Sequence, residues 1–152
     1  MREYHIEKIT TADRIPELAH VFRTSFRDTY PLFPELHTPE EDLEFFTNVV
    51  LAKDEVYIAI DEKLRIAGFI AFNKEFIDHL YLLPEAQHEG LGSKLIRIAF
   101  AHSDELKLWT FQENTGARSL YQKHGFIAIK ETDGADNEEK QPDILFWRKN
   151  PA

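Results

Sequence analysis

Apolar side chains recur along this chain with two different periods. Between Thr11 and Thr29, the residues Ile15, Leu18, Ala19, Phe22 and Phe26 fall three or four positions apart, which places them on one face of a helix. Thr38-Pro39-Glu40-Glu41 reads as a second helix start. Thr38 supplies an N-cap oxygen, Pro39 the first helical residue and Glu41 the reciprocal carboxylate of a capping box, with the helix expected to run to about Leu51. From residue 55 the period shortens. EVYIAI, RIAGFIAF and FIDHLYLL are rich in β-branched and aromatic residues and are separated by polar turns at Asp61–Lys63 and Asn73–Glu75, which predicts three consecutive antiparallel strands. The third ends at Pro84, which has no N–H to give to a ladder.

An opening strand is expected around Arg2–Ile9. Helical spacing returns from Gly90, with Leu91, Leu95, Ile98 and Ala99 on one face. LKLWTF then reads as a strand, NTGARSLYQKHG as a helix ending in glycine, and FIAIKE and ILFWRK as two further strands. Thr132–Asp143 is polar and turn-rich and reads as a loop. There is no internal repeat. The order β-α-α-β-β-β-α-β-α-β-β predicts an α/β (mixed α+β) fold with helices on both faces of the sheet. A chain of 152 residues is expected to form one domain over 1–152, large enough for a buried core.

Composition narrows the chemistry. The chain has no cysteine, which excludes disulfides, thiolate metal ligands and a cysteine nucleophile. None of its seven histidines stands at a zinc-motif spacing from another, so no metal is expected. A net charge of −9 argues against general affinity for nucleic acid or anionic membrane, and no segment is apolar for the length of a membrane span. The opening MREYHIEKIT alternates charged and apolar residues unlike a secretory signal, so a cytoplasmic location is expected.

The stretch LYLLPEAQHEGLGSKLI carries the clearest chemical signal. A strand that passes through a glycine turn into a helix leaves unpaired N–H groups converging on one point, where the helix dipole adds positive charge. Glycines at 90 and 92 would let an anionic ligand approach the backbone. The alternative is an ordinary connection with glycines for packing. Gly-x-Gly-x-x-Gly fails because residue 95 is Leu, and no Gly-Lys-Ser/Thr follows at the spacing of a Walker loop.

Gln87-His88-Glu89-Gly90-Leu91-Gly92 resembles the Gln/Arg-x-x-Gly-x-Gly/Ala motif of the GCN5-related N-acetyltransferases (GNAT), whose turn cradles the pyrophosphate of coenzyme A. Asn114–Phe126 resembles that family's second signature, Asn-x-x-Ala-x-x-Leu-Tyr-x-x-x-Gly-Phe. The two occur in the family's order, and the resemblance extends over nearly the whole chain, weakest in Tyr30–Leu51. It implies a central, largely antiparallel twisted sheet of about seven strands with a splay between the fourth and fifth.

The resemblance also implies site residues. The backbone of Tyr81, Leu82 and Leu83 would meet the pantetheine arm of acetyl-CoA. Gln87, His88, Glu89, Gly90, Leu91, Gly92 and Ser93 would surround the phosphates, with Lys94 at the rim and Gln87 lacking the charge of the family's frequent arginine. Asn114, which could equally cap its helix, and Ala117 would flank the arm. Tyr121 is either a core tyrosine or the general acid that protonates the leaving thiolate. An acceptor amine must lose a proton, and Asp78, which interrupts an apolar strand, is the first candidate to receive it, ahead of Glu75 and His79; its alternative is pairing with a nearby cation. Tyr30, Phe33 and His37 could wall the acceptor site, and Trp109 is read first as core, with cleft lining as the alternative. Asp136, Asn137, Glu138, Glu139 and Asp143, in an acidic loop, read first as a solvated turn, although Asn-Glu-Glu followed by Pro-Asp resembles a segment of some bacterial members.

The expected activity is therefore direct acetyl transfer from acetyl-CoA to a primary amine of a small molecule or peptide, by a monomer or homodimer. A non-catalytic acyl-CoA sensor and a ligand-free interaction domain are the alternatives.

Overall fold

The computed structural model describes residues 2–150; Met1, Pro151 and Ala152, part of the expected 1–152 extent, lie outside the described residues. Strand β1 (His5–Ile9) begins three residues later than the sequence pattern suggests. Thr11 accepts from the Asp13 N–H (3.4 Å) and opens a 3-10 turn, Ala12–Arg14, and α1 (Ile15–Thr29) follows with Pro16 in its first turn. α2 (Pro39–Phe45) starts from the expected capping box: the Glu41 N–H donates to the Thr38 hydroxyl (3.1 Å) and the Thr38 N–H to the Glu41 carboxylate (2.9 Å). It continues through one π-helical turn, Phe46–Val50, into a last turn, α3 (Leu51–Lys53).

Strands β2 (Glu55–Ile60), β3 (Ile66–Phe72) and β4 (Ile77–Leu82) extend β1 into an antiparallel sheet of order β1-β2-β3-β4. Helix α4 (Leu91–Phe100) leads to β5 (Glu105–Phe111), then α5 (Thr115–Lys123), β6 (Ile127–Thr132) and β7 (Asp143–Lys149). These last three strands form a second antiparallel sheet of order β5-β7-β6. Gly125, at φ +85°, ends α5 in the left-handed conformation that glycine adopts without a Cβ clash.

β3 shows why the first sheet has helices on both faces. Ile66, Phe69 and Ala71 pack with Leu18, Val21 and Phe46 on the α1–α2 side. Ala67, Ile70 and Phe72 pack with Leu95, Ile96 and Phe146 on the other. A strand covered twice reads as a continuous apolar run rather than an alternating one. The second cluster also holds Leu106, Leu108 and Ile144, so one core joins the two sheets.

The sheets meet through a single parallel bridge, Phe76 with Lys107, where the Lys107 N–H donates to the Glu75 carbonyl (2.9 Å). Beyond it β4 and β5 diverge. β4 also carries a bulge: Phe72 faces Ile77 while Ala71 faces His79, which leaves Asp78 as the extra residue and re-aims its side chain. Among the described residues, no helix is long and apolar enough to cross a membrane.

Candidate active site

The divergence of β4 and β5 opens a cleft of about 1060 Å³. Tyr81, Trp109, Asn114, Tyr121, Gly90 and Glu139 mark its extent from strand walls to helix floor to loop mouth.

One end is made of backbone. Gly90 caps α4 at φ +84°, and a Cβ there would meet nothing within 4 Å; His88, at φ +63°, shares this left-handed bend. The Lys94 N–H is bonded to the Gly90 carbonyl (3.1 Å), which leaves the N–H groups of Leu91, Gly92 and Ser93 without an intrahelical acceptor. Such a concavity fits an anion. Gly92 has a further reason to be glycine: a Cβ would press within 3.2 Å of Leu120 and 3.7 Å of Leu82, while the residue also lines the cleft.

The polar side chains of this turn are largely occupied. Gln87 donates to the Leu82 carbonyl (3.2 Å), and Ser93 Oγ lies 2.8 Å from His124 Nε2. The Glu89 carboxylate accepts from the Tyr4 hydroxyl (2.8 Å), with Arg2 at 3.8 Å. Lys94 is exposed and is not among the residues that line the cleft. On β4, the Leu83 N–H is bonded to the Ala67 carbonyl (2.8 Å), so that donor already serves the sheet.

The middle of the cleft is phenolic. The Tyr121 ring packs against Phe126 (5.8 Å between centroids) and Phe146 (6.1 Å), while the residue also lines the cleft and its hydroxyl has no protein partner among the described residues. The core and cleft readings of Tyr121 therefore coincide. Burial, and then Tyr30, raise its pKa and keep the hydroxyl protonated. Asn114 caps α5 by accepting from the Ala117 N–H (3.0 Å) and donates to Tyr30 Oη (2.8 Å). Tyr30 stacks on Phe33 (4.6 Å), and Phe111 meets both edge-on. Burial pushes the Tyr30 pKa up to about 12 against the lowering effect of the Asn114 bond.

At the bridged end, the Asp78 carboxylate lies 3.2 Å from Lys53 Nζ and accepts from Asn73 Nδ2 (3.2 Å). The pairing alternative is thus realised while the residue still lines the cleft. Asn73 also donates to Asp54 (2.9 Å), whose other oxygen is buried without a partner. Burial raises the Asp54 pKa, opposed by the Asn73 bond and reinforced by Asp78. Sequence reasoning missed Lys53 and Asp54; Asn73 had been read only as a turn, which it does form by accepting from the N–H groups of Glu75 and Phe76 (2.9 Å each). His79 stands among the rings of Phe22, Phe45, Phe46 and Tyr81, with Nδ1 buried and unpartnered. Burial lowers its pKa to about 4, so the ring is neutral at neutral pH.

One expectation is corrected here and its alternative realised. Trp109 is 45% exposed rather than core: Leu106 and Leu108 take the inward face of β5, and Trp109 takes the opposite face toward the cleft. The acidic loop is the solvated turn of the first reading, with Asp136 and Glu138 exposed, and it is also held by its own hydrogen bonds. Asn137 Nδ2 donates to the Gln141 carbonyl (2.7 Å) and to Asp143 (3.1 Å), and Lys140 Nζ donates to the Ala135 carbonyl (2.7 Å). Glu138 pairs with His37 in the segment that joins α1 and α2.

Beneath that segment lies a second cavity of about 400 Å³, whose wall includes Phe22, Phe26, Tyr30 and Phe33.

A family model described as an acetyltransferase (GNAT) domain matches residues 52–128. The peptidyl-lysine N-acetyltransferase YjaB of Salmonella typhimurium (strain LT2) is 24% identical over 110 residues, 72% of this chain and 74% of that protein. The solution structure of apo-form YjaB from Escherichia coli superimposes with a TM-score of 0.76 at 19% identity, covering 98% of this chain and 99% of that one. The PaiA N-acetyltransferase of Thermoplasma acidophilum, solved in complex with coenzyme A, gives 0.74 at 21% identity, covering 97% and 99%.

Proposed function

The chain belongs to the GNAT acetyltransferase family, and we propose that it passes the acetyl group of acetyl-CoA directly to a primary amine, with Tyr121 as general acid. The observation that carries this reading is the union, in one cleft, of the α4 socket with a buried phenol whose hydroxyl has no protein partner. Leu91, Gly92 and Ser93 would offer their N–H groups to the pyrophosphate, with Gly90 leaving the approach open. The exposed backbone of β4 around Tyr81 and Leu82, together with Ala117 and Asn114, would border the pantetheine arm.

Acetyl-CoA supplies the activated thioester. The raised pKa of Tyr121 means that its proton is present at the start of the reaction, placed to meet negative charge on the departing sulfur. Asp78 would draw the acceptor's proton toward the strand bulge, with Asp54 beyond Asn73 adding affinity for a proton near neutrality. The YjaB relative is named for peptidyl-lysine, which supports a lysine side chain as acceptor. Trp109, Tyr30 and Phe33 supply aromatic surface for its arm.

Thermal melts with and without acetyl-CoA test the socket. At a ligand concentration 100-fold above Kd the wild type gains about 2.7 kcal/mol. Gly90→Asp places a negative charge where a Cβ has room and where aspartate tolerates the left-handed backbone, so the folded variant is expected to lose the shift. An equal shift in both proteins would move the coenzyme elsewhere; no shift in either would remove the acetyltransferase reading. A wild type that binds acetyl-CoA yet acetylates no lysine peptide or small amine would be a sensor.

A further inference from the structure

The turn that forms the α4 socket contains a charge of the wrong sign for it. Leu91, Gly92 and Ser93 have free N–H groups suited to an anion, yet Glu89 stands just before them, between the left-handed residues His88 (φ +63°) and Gly90 (φ +84°). Its neighbours Gln87, His88 and Gly90 all line the cleft, and Glu89 does not. Its carboxylate is turned instead toward the start of the chain. One oxygen accepts from the Tyr4 hydroxyl (2.8 Å), and the other lies 3.8 Å from Arg2 Nε; among the described residues these are its only side-chain partners.

Tyr4 is well placed to hold that charge. It stands just before β1, 85 residues from Glu89, and its side chain packs against the core cluster that contains Leu91, Leu95 and Ile96 of α4. The ring is thus braced by the same helix whose N-terminus makes the socket. A hydrogen bond from a neutral donor to an ionised carboxylate is short and strong, and it fixes the direction of the acceptor. Burial, then the bond and charge of Glu89, raise the Tyr4 pKa against the lowering effect of Arg2, so the proton in this bond is present at neutral pH. Arg2 is half-exposed and beyond hydrogen-bond distance, so water screens most of its contribution. Without Tyr4, the carboxylate is free to swing toward the cleft, where it would repel bound phosphates through a medium from which water is partly displaced.

We propose that Tyr4 is a positioning residue of the coenzyme socket: its hydroxyl keeps the Glu89 carboxylate outside the cleft, so that phosphates meet the α4 N–H groups without an opposing charge. This rests on the acetyl-CoA reading above. It gives a part in coenzyme binding to a residue upstream of β1, outside the span 52–128 that the family model matches.

Calorimetric titration of the full chain with acetyl-CoA, in wild type, Tyr4→Phe, Glu89→Gln and the double variant, tests the assignment as a cycle. Tyr4→Phe keeps the ring and its packing but releases the carboxylate, and it should weaken acetyl-CoA binding about tenfold at low salt, with the loss shrinking as salt is raised. With glutamine at position 89 there is no charge to restrain, and the same Tyr4 substitution should change the affinity by less than about twofold. Wild-type affinity in Tyr4→Phe overturns the assignment. So does a loss that persists in the Glu89→Gln background or is indifferent to salt, because the hydroxyl would then serve the shape of the turn and not the placement of a charge. A wild type that does not bind acetyl-CoA overturns the coenzyme reading itself, an outcome visible before any variant is compared.

Discussion

The two ends of the cleft are built from different materials. The α4 end is a backbone device: a left-handed glycine, three free N–H groups and a helix dipole, all supplied by a run of adjacent residues. The opposite end is a side-chain device, with rings from α1 and β5, a bulged aspartate on β4 and a loop carboxylate between β6 and β7. A backbone socket recognises what all substrates of a family share and tolerates sequence change beside it. A site assembled from side chains can be altered one residue at a time.

Tyr121 lies between these ends, and its replacement is expected to have the largest effect. Tyr121→Phe keeps the ring contacts with Phe126 and Phe146 while removing the proton, so kcat should fall by about 100-fold or more with the acetyl-CoA thermal shift intact. Unchanged kcat would assign this phenol to packing alone.

His79 probes the side-chain end through pH. Its pKa falls from an ordinary 6.5 to about 4 on folding, so the unfolded chain takes up a proton first as pH drops. The stability tied to its neutral ring is complete above pH 6.5 and is lost toward pH 4. Asp54, with its raised pKa, works in the opposite sense, so the comparison must be made between proteins. Urea unfolding of wild type and His79→Phe at pH 7.5 and 4.5 should show wild type losing about 2.5 kcal/mol more than the variant. Parallel pH dependences would mean that the imidazole is not confined as its ring neighbours indicate.

Asn114 joins the two constructions, and the smallest change is expected there. Asn114→Ala removes a helix cap and the partner of Tyr30 and should cost about 1–2 kcal/mol. Asn114→Asp keeps the cap acceptor and puts, in place of the amide donor, a carboxylate oxygen that can only accept from Tyr30. If denaturation finds the aspartate variant as unstable as the alanine one, the bond to Tyr30 matters more than the cap.

How much of this was legible in the sequence follows the same division. The capping box at Thr38, the turn at Gly90 and the cap at Asn114 are local devices, and each stands where the residue order places it. The strand pattern was readable from short-range periodicity, and the GNAT layout from the resemblance of Gln87–Gly92 and Asn114–Phe126 to the family's two motifs. The core reading of Trp109 gave way to its alternative, cleft lining, because a period-two strand shows which residues share a face but not whether a helix covers it. Lys53, Asn73 and Asp78 meet because β4 contains a bulge, and no local composition announces that register shift.

The position of β7 has a consequence for the order of events during synthesis. β1 to β4 form a meander in which each strand can pair as soon as the next has emerged from the ribosome. β5 and β6 must wait, because each finds its partner in β7, which enters between them. A nascent chain thus holds one finished wall of the cleft, its apolar edge exposed, until the final strand arrives to build the other. The capacity for transfer chemistry is acquired late and all at once, when β7 is inserted.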